Sequence, residues 1–117
     1  FLNLNIPILY VATIYGCTQL ELNADIVDYS HHIIRSDGII SSQSEDIVHH
    51  MELYHCNVPT NHEIPKYNKW WTTERKPMDL MKCHRVIGAW TFGTANFSYS
   101  PETGEIIDGK NYLKYVV

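Results

Sequence analysis

Apolar and polar residues alternate with a period of two at both ends of the chain. Leu2, Leu4 and Ile6 are separated by Asn3 and Asn5, and Tyr112-Leu113-Lys114-Tyr115-Val116-Val117 closes the sequence with a similar rhythm. This is the pattern of half-buried strands. Pro7 limits pairing after the first of them. Ile8 to Cys17 is dense in β-branched and aromatic residues and predicts a buried strand ending at Gly16-Cys17. A less regular region follows, punctuated by Asn23-Ala24-Asp25 and Asp28-Tyr29-Ser30. Ser36-Asp37-Gly38 predicts a turn, Ile39-Ile40 a resumed strand, and Ser41-Ser42-Gln43-Ser44-Glu45 a polar loop. Asp46 to Cys56 then reads as a strand with two adjacent imidazoles in its middle, because Ile47, Val48, Met51, Leu53 and Tyr54 suit a pleated surface. From Asn57 to Lys82 there is little periodicity, and Pro59, Pro65 and Pro77 break any long element. Val86, Ile87, Ala89, Trp90 and Phe92 form another strand that Gly93 ends. Pro101-Glu102-Thr103-Gly104 and Asp108-Gly109 are turns. No helical period, repeat or low-complexity tract is present, so the pattern predicts an all-β chain, most simply an antiparallel sandwich.

Composition narrows the function more than the fold. At 117 residues the chain is one domain's worth, able to bury roughly two-thirds of its unfolded surface. Hydrophobic residues make up 44% and charged residues 19%, which excludes a disordered segment. Thirteen acids against nine bases leave a net charge of −4, with no basic run to hold nucleic acid. The apolar stretch from Phe1 to Tyr15 is interrupted by Asn3, Asn5 and Pro7; its continuous part is far short of the ~20 residues a membrane helix needs. No secretory leader is evident, so the chain is expected to be an internal piece of a longer protein. Three cysteines leave at least one without a partner inside the chain.

The candidate chemistry lies at His49-His50. Neutral imidazole is the commonest side-chain ligand for copper and zinc. On a regular strand, however, neighbouring side chains point to opposite faces, so one ion takes both rings only where the strand is twisted or bulged. The alternative is one histidine in the core and one in solvent.

Read as a phrase, Val48-His49-His50-Met51-Glu52 followed by Cys56, preceded by His31-His32-Ile33-Ile34 and followed by Cys83-His84-Arg85-Val86-Ile87-Gly88-Ala89-Trp90, resembles the copper type II, ascorbate-dependent monooxygenases. The likeness is nearest to the dopamine and tyramine β-hydroxylating branch and covers residues 6 to 117. It implies that residues 1–117 are a partial N-terminal copper-binding domain, an antiparallel jelly-roll-like β-sandwich. His49 and His50 match two of three copper ligands, and the family's third is expected just past Val117. Thr13-Ile14-Tyr15-Gly16-Cys17 matches a family strand whose tyrosine lies beside the copper site, which makes Tyr15 a candidate supporting residue; a core aromatic is the alternative. By the same likeness His31-His32 belongs to a structural strand and does not ligate.

The resemblance further implies copper as cofactor and ascorbate as electron donor. A second copper domain of the same parent chain would follow, where a C–H bond of a small amine substrate is hydroxylated. The setting would be secreted or the lumen of a secretory vesicle. Cys56 and Cys83 bracket the irregular segment, and a disulfide between them would close a loop of about 28 residues. Asn96-Phe97-Ser98 is an N-glycosylation acceptor pattern. Two departures stand out. Trp70-Trp71-Thr72 occupies about the place where relatives carry the cysteine that pairs with the position of Cys17, and Val116 replaces a polar residue. Trp70-Trp71 is expected to pack as a cover over the sandwich. Two rival readings remain: a secreted β-sandwich interaction module with incidental histidines, and a zinc hydrolase site using Glu52 or Asp46. Ser98 and Ser100 lack a recognisable base, and His55, His62 and His84 are left as substitute ligands.

Overall fold

A computed structural model of the chain describes residues 13–59, 61–62, 64–94, 96–108, 111 and 114–117. The expected strand at residues 2–6, the first part of the strand at 8–17, and Gly109, Tyr112 and Leu113 lie outside the described residues. Those described form an all-β structure. Its strands are β1 (Gly16–Thr18), β2 (Leu20–Glu21), β3 (Ser30–Ile33), β4 (Arg35–Asp37), β5 (His50–His55), β6 (Trp70–Thr72), β7 (Arg85–Thr91), β8 (Asn96–Ser98), β9 (Glu105–Asp108) and β10 (Tyr115–Val116). All pair antiparallel. A four-stranded sheet runs β2-β10-β5-β7, with two-stranded sheets β1-β6, β3-β9 and β4-β8 around it. Helix among the described residues is limited to one turn at Ala24–Val27 and two 3₁₀ turns at Thr73–Arg75 and Met78–Lys82. None is long and apolar enough to cross a membrane.

The alternation of the last strand explains why the central sheet is buried on both faces. Tyr115 and Val117 enter one core with Cys56, Ile64, Trp71, Leu80 and Cys83, while Val116 enters another with Ile87 and Ile107, on which Leu20, Ile33 and Leu53 pack. Consecutive residues of a strand face opposite ways, so a single short strand feeds both layers. Val117 exchanges both backbone hydrogen bonds with Tyr54, which seats this strand in the centre of the sheet.

The cysteines behave as the spacing suggested. Cys56 and Cys83 are joined in a disulfide and both are buried. Cys17 is a free thiol packed against the same core, and its cross-strand partner is Trp71. The indole thus stands opposite the thiol and fills the core there, with Tyr67 edge-on to it at 5.9 Å. The packing role expected of the tryptophan pair holds for Trp71, while Trp70 is half-buried.

Three local expectations need correction. Ser36-Asp37-Gly38 is not a turn: Arg35–Asp37 is itself β4, and Ile39-Ile40 is not in a strand. Gly38 is small because the Trp90 indole lies on it; an added Cβ would stand 2.4 Å from the indole Cγ. The segment from Asn57 to Lys82 is less irregular than its prolines suggest, since it holds β6 and both 3₁₀ turns. It is also tied down by Gln19, a buried residue whose amide donates to Pro65 O at 3.2 Å and accepts from Tyr67 N at 2.5 Å. Nothing in the sequence singles out Gln19, because its role depends on residues nearly fifty positions away. Third, Asn23 to Asp28, read as irregular, contains the single helical turn.

Glu21 holds the surface end of the central sheet through two lysines, Lys66 and Lys114, each at 2.5 Å. The Lys114 and Lys66 ammonium groups bring its carboxyl down to about 2. A carboxylate depressed in the folded state contributes stability that is present above its ordinary value near 4.5 and lost as pH falls through about 2. Denaturant midpoints of wild type and Glu21→Gln should therefore differ at pH 6 and converge as the pH is lowered towards 2. A constant difference across that window would show that the pair's charge contributes nothing.

Candidate metal centre

The chain is not extended until it reaches the histidines. Ser44 N donates to Ser41 O at 2.8 Å, the Ser41 and Ser44 hydroxyls meet at 2.9 Å, and Ile47 N and Val48 N both donate to Ser44 O at 3.0 Å. Serines that bond locally compete with strand pairing, so Ile47 and Val48 finish a turn despite their β-branched side chains. The expected strand from Asp46 is shortened to His50–His55. His50 is its first residue, opposite Thr91, and His49 lies just outside, its carbonyl accepting from Phe92 N at 2.9 Å. The far side of this junction is fixed by a turn in which Gly93 takes φ +86° and Thr94 Oγ1 donates to Thr91 O at 2.7 Å.

This placement removes the geometric objection to a shared ion. In mid-strand the two rings would point apart, but at the strand entrance the Nδ1 atoms of His49 and His50 stand 3.4 Å apart, with ring planes at 86°. A metal bound at about 2.0–2.1 Å from each imidazole nitrogen spans any pair closer than roughly 4.2 Å. The donor set therefore fits a single ion. Tyr15, half exposed, lays its ring against His50 with centroids 5.5 Å apart. It is a neighbour of the pair and not a core aromatic.

The remaining histidines are elsewhere. His31 Nε2 is 2.9 Å from Asp25 O on the exposed face of β3, in keeping with a structural strand. His62 bonds Asn61, His84 is exposed, and His55 is 1% exposed inside the protein. Glu52 does not turn to the pair: its carboxylate accepts from the Tyr54 hydroxyl, which raises that phenol to about 12, with burial adding to the effect. Among the described residues no three His, Cys, Asp or Glu side chains gather closely enough to hold a metal. This leaves the zinc-hydrolase reading without its carboxylate. The Glu52–Tyr54 pair was not anticipated from sequence, although the i, i+2 spacing on a strand is the signal that carries it.

Residues 1–117 match the family model described as "Copper type II ascorbate-dependent monooxygenase, N-terminal domain". The chain is 32% identical over 111 residues to tyramine beta-hydroxylase of Caenorhabditis briggsae, covering 95% of this chain and 18% of that protein. It is 32% identical over 112 residues to human dopamine beta-hydroxylase, covering 96% and 18%. Against the human DBH-like monooxygenase protein 1 it is 29% identical over 102 residues, covering 87% and 16%. The chain thus spans under a fifth of the length of these curated relatives.

Proposed function

Since the chain belongs to the copper type II ascorbate-dependent monooxygenase family, by its N-terminal domain, we propose that His49 and His50 hold one copper ion in a domain that handles electrons for a longer enzyme. The observation that carries this reading is the convergence of the two Nδ1 atoms to 3.4 Å beside Tyr15. It also counts against an interaction module with incidental histidines, whose rings would have no reason to meet. Copper held there would supply one-electron storage, with ascorbate as reductant, for hydroxylation of a C–H bond of a phenylethylamine-like substrate at a second copper domain of the parent chain.

The chain's own residues supply position. The Phe92 N to His49 O bond and the His50–Thr91 register fix the backbone under both rings. Tyr15 limits rotation of His50 by ring contact, so its hydroxyl is dispensable to this role. The Glu52 carboxylate is kept on Tyr54, away from the imidazoles. The disulfide Cys56–Cys83 supports an oxidising compartment, secreted or the lumen of a secretory vesicle.

Titration of the metal-free chain with Cu(I) and Cu(II), followed through the imidazole nitrogen resonances, tests the reading. His49 and His50 should respond first and together, at one copper per chain. A first response at His31, His32, His62 or His84 would overturn it. Tyr15→Ala should weaken binding about 10-fold, the low end for an outer partner of a metal ligand, and Tyr15→Phe should leave it near wild type.

A further inference from the structure

We propose that Asn96 carries an N-linked oligosaccharide that covers the edge of β8. The site is separate from the histidine pair, and the inference rests on the secretory setting proposed above. In the β4–β8 pair the register sets Asn96 opposite Asp37, Phe97 opposite Ser36 and Ser98 opposite Arg35. Cross-strand partners share a face and successive residues alternate. Asn96, Ser98, Arg35 and Asp37 therefore lie on one face, and Phe97 and Ser36 on the other.

Which face is outward is decided by packing. Ser36 rests on β7: a Cβ added to Gly88 would meet Ser36 Oγ at 3.0 Å. Phe97 meets Tyr99 edge-to-face at 4.9 Å. The opposite face is wholly polar and solvated. Asn96 and Ser98 are exposed there, beside an Arg35–Asp37 pair with Nε to carboxylate distances of 2.8 and 3.0 Å. The acceptor amide and the hydroxyl two residues on thus project to solvent together, and a glycan there displaces no core side chain.

In the transfer, Asn96 Nδ2 forms a bond to the anomeric carbon of the reducing-end sugar of a lipid-pyrophosphate-linked oligosaccharide. The bond from that carbon to the pyrophosphate oxygen breaks, the lipid pyrophosphate leaves, and the amide gives up one proton; nothing is oxidised or reduced. Among the described residues β4 and β8 form a sheet of only two strands, and Phe97 is half exposed. Such an edge is a template for pairing with another extended chain, and a bulky hydrophilic group at Asn96 blocks that approach.

The parent protein, expressed in a eukaryotic host behind a cleavable secretory leader, provides the test by mass spectrometry of the peptide containing Asn96 before and after peptide N-glycosidase F. The glycan mass should be present on wild type and Ser98→Thr, and absent from Asn96→Gln and Ser98→Ala. An unmodified Asn96 peptide in secreted wild type that carries the Cys56–Cys83 disulfide would overturn the proposal while leaving the secretory reading intact. Glycosylation behind the added leader, with no secretion from the parent's own N-terminal sequence, would overturn the secretory reading and leave the acceptor site standing.

Discussion

Replacing His49 and His50 together by alanine should reduce the copper affinity of the chain by more than about 100-fold, beyond the 10–100-fold that loss of an outer partner costs. Their nitrogens are 3.4 Å apart, and no other described histidine shares their position. Removal leaves the Tyr15 ring and the Glu52 carboxylate, the latter engaged by Tyr54. Fold stability should change little, since His49 is exposed and His50 half-buried. Each single variant should fall between wild type and the double variant, with a deficit that is not additive, because one remaining imidazole cannot reproduce a two-point grip. Isothermal titration with a competing chelator measures this directly. Copper affinity unchanged in the double variant would place the site elsewhere.

The second large effect concerns the disulfide. Cys56→Ala with Cys83→Ala should destabilise the domain by about 3–4 kcal/mol through loop-closure entropy. The bridge joins residues 27 apart in sequence and lies in the core with Leu80, Trp71 and Tyr115. Loss of the two buried sulfurs adds a packing deficit, which reduction of the wild-type disulfide would not. Comparing thermal melts of the double variant, the reduced wild type and Cys17→Ala separates the contributions. For a domain of about 100 residues, each kcal/mol moves the midpoint roughly 4–8 °C, so the double variant should melt more than about 12 °C lower. Cys17→Ala should shift far less, because its thiol closes no loop. Equal midpoints for wild type and the double variant would show that the segment between the cysteines is held by Gln19 and core packing alone.

Gln19 and the cysteine pair illustrate two kinds of information. The bridge was legible because Cys56 and Cys83 flank one proline-broken segment, and a covalent tie at its ends is a local inference. The clamp from Gln19 to Pro65 and Tyr67 was not legible, since a buried amide inside a short run of strand residues looks like any exposed polar position. Likewise the β-rich composition and period-2 alternation settled the all-β class, because side-chain direction along a strand follows from the backbone alone. They did not settle where strands begin. At Ser41–Ser44 local hydrogen bonds override the strand preference of Ile47 and Val48, and the start of β5 moves to His50.

That shift decides the candidate site. The sequence by itself singled out the candidates for metal chemistry, since two adjacent imidazoles are visible as letters, while Tyr15 was marked only by the family resemblance and its closeness to His50 is a fact of the fold. Whether the imidazoles meet depends on the backbone leaving the regular pleat between His49 and His50, which the serine turn on one side and the Thr91–Thr94 turn on the other impose together. Only the tertiary structure holds those turns against each other, through the Phe92 to His49 hydrogen bond between segments more than forty residues apart.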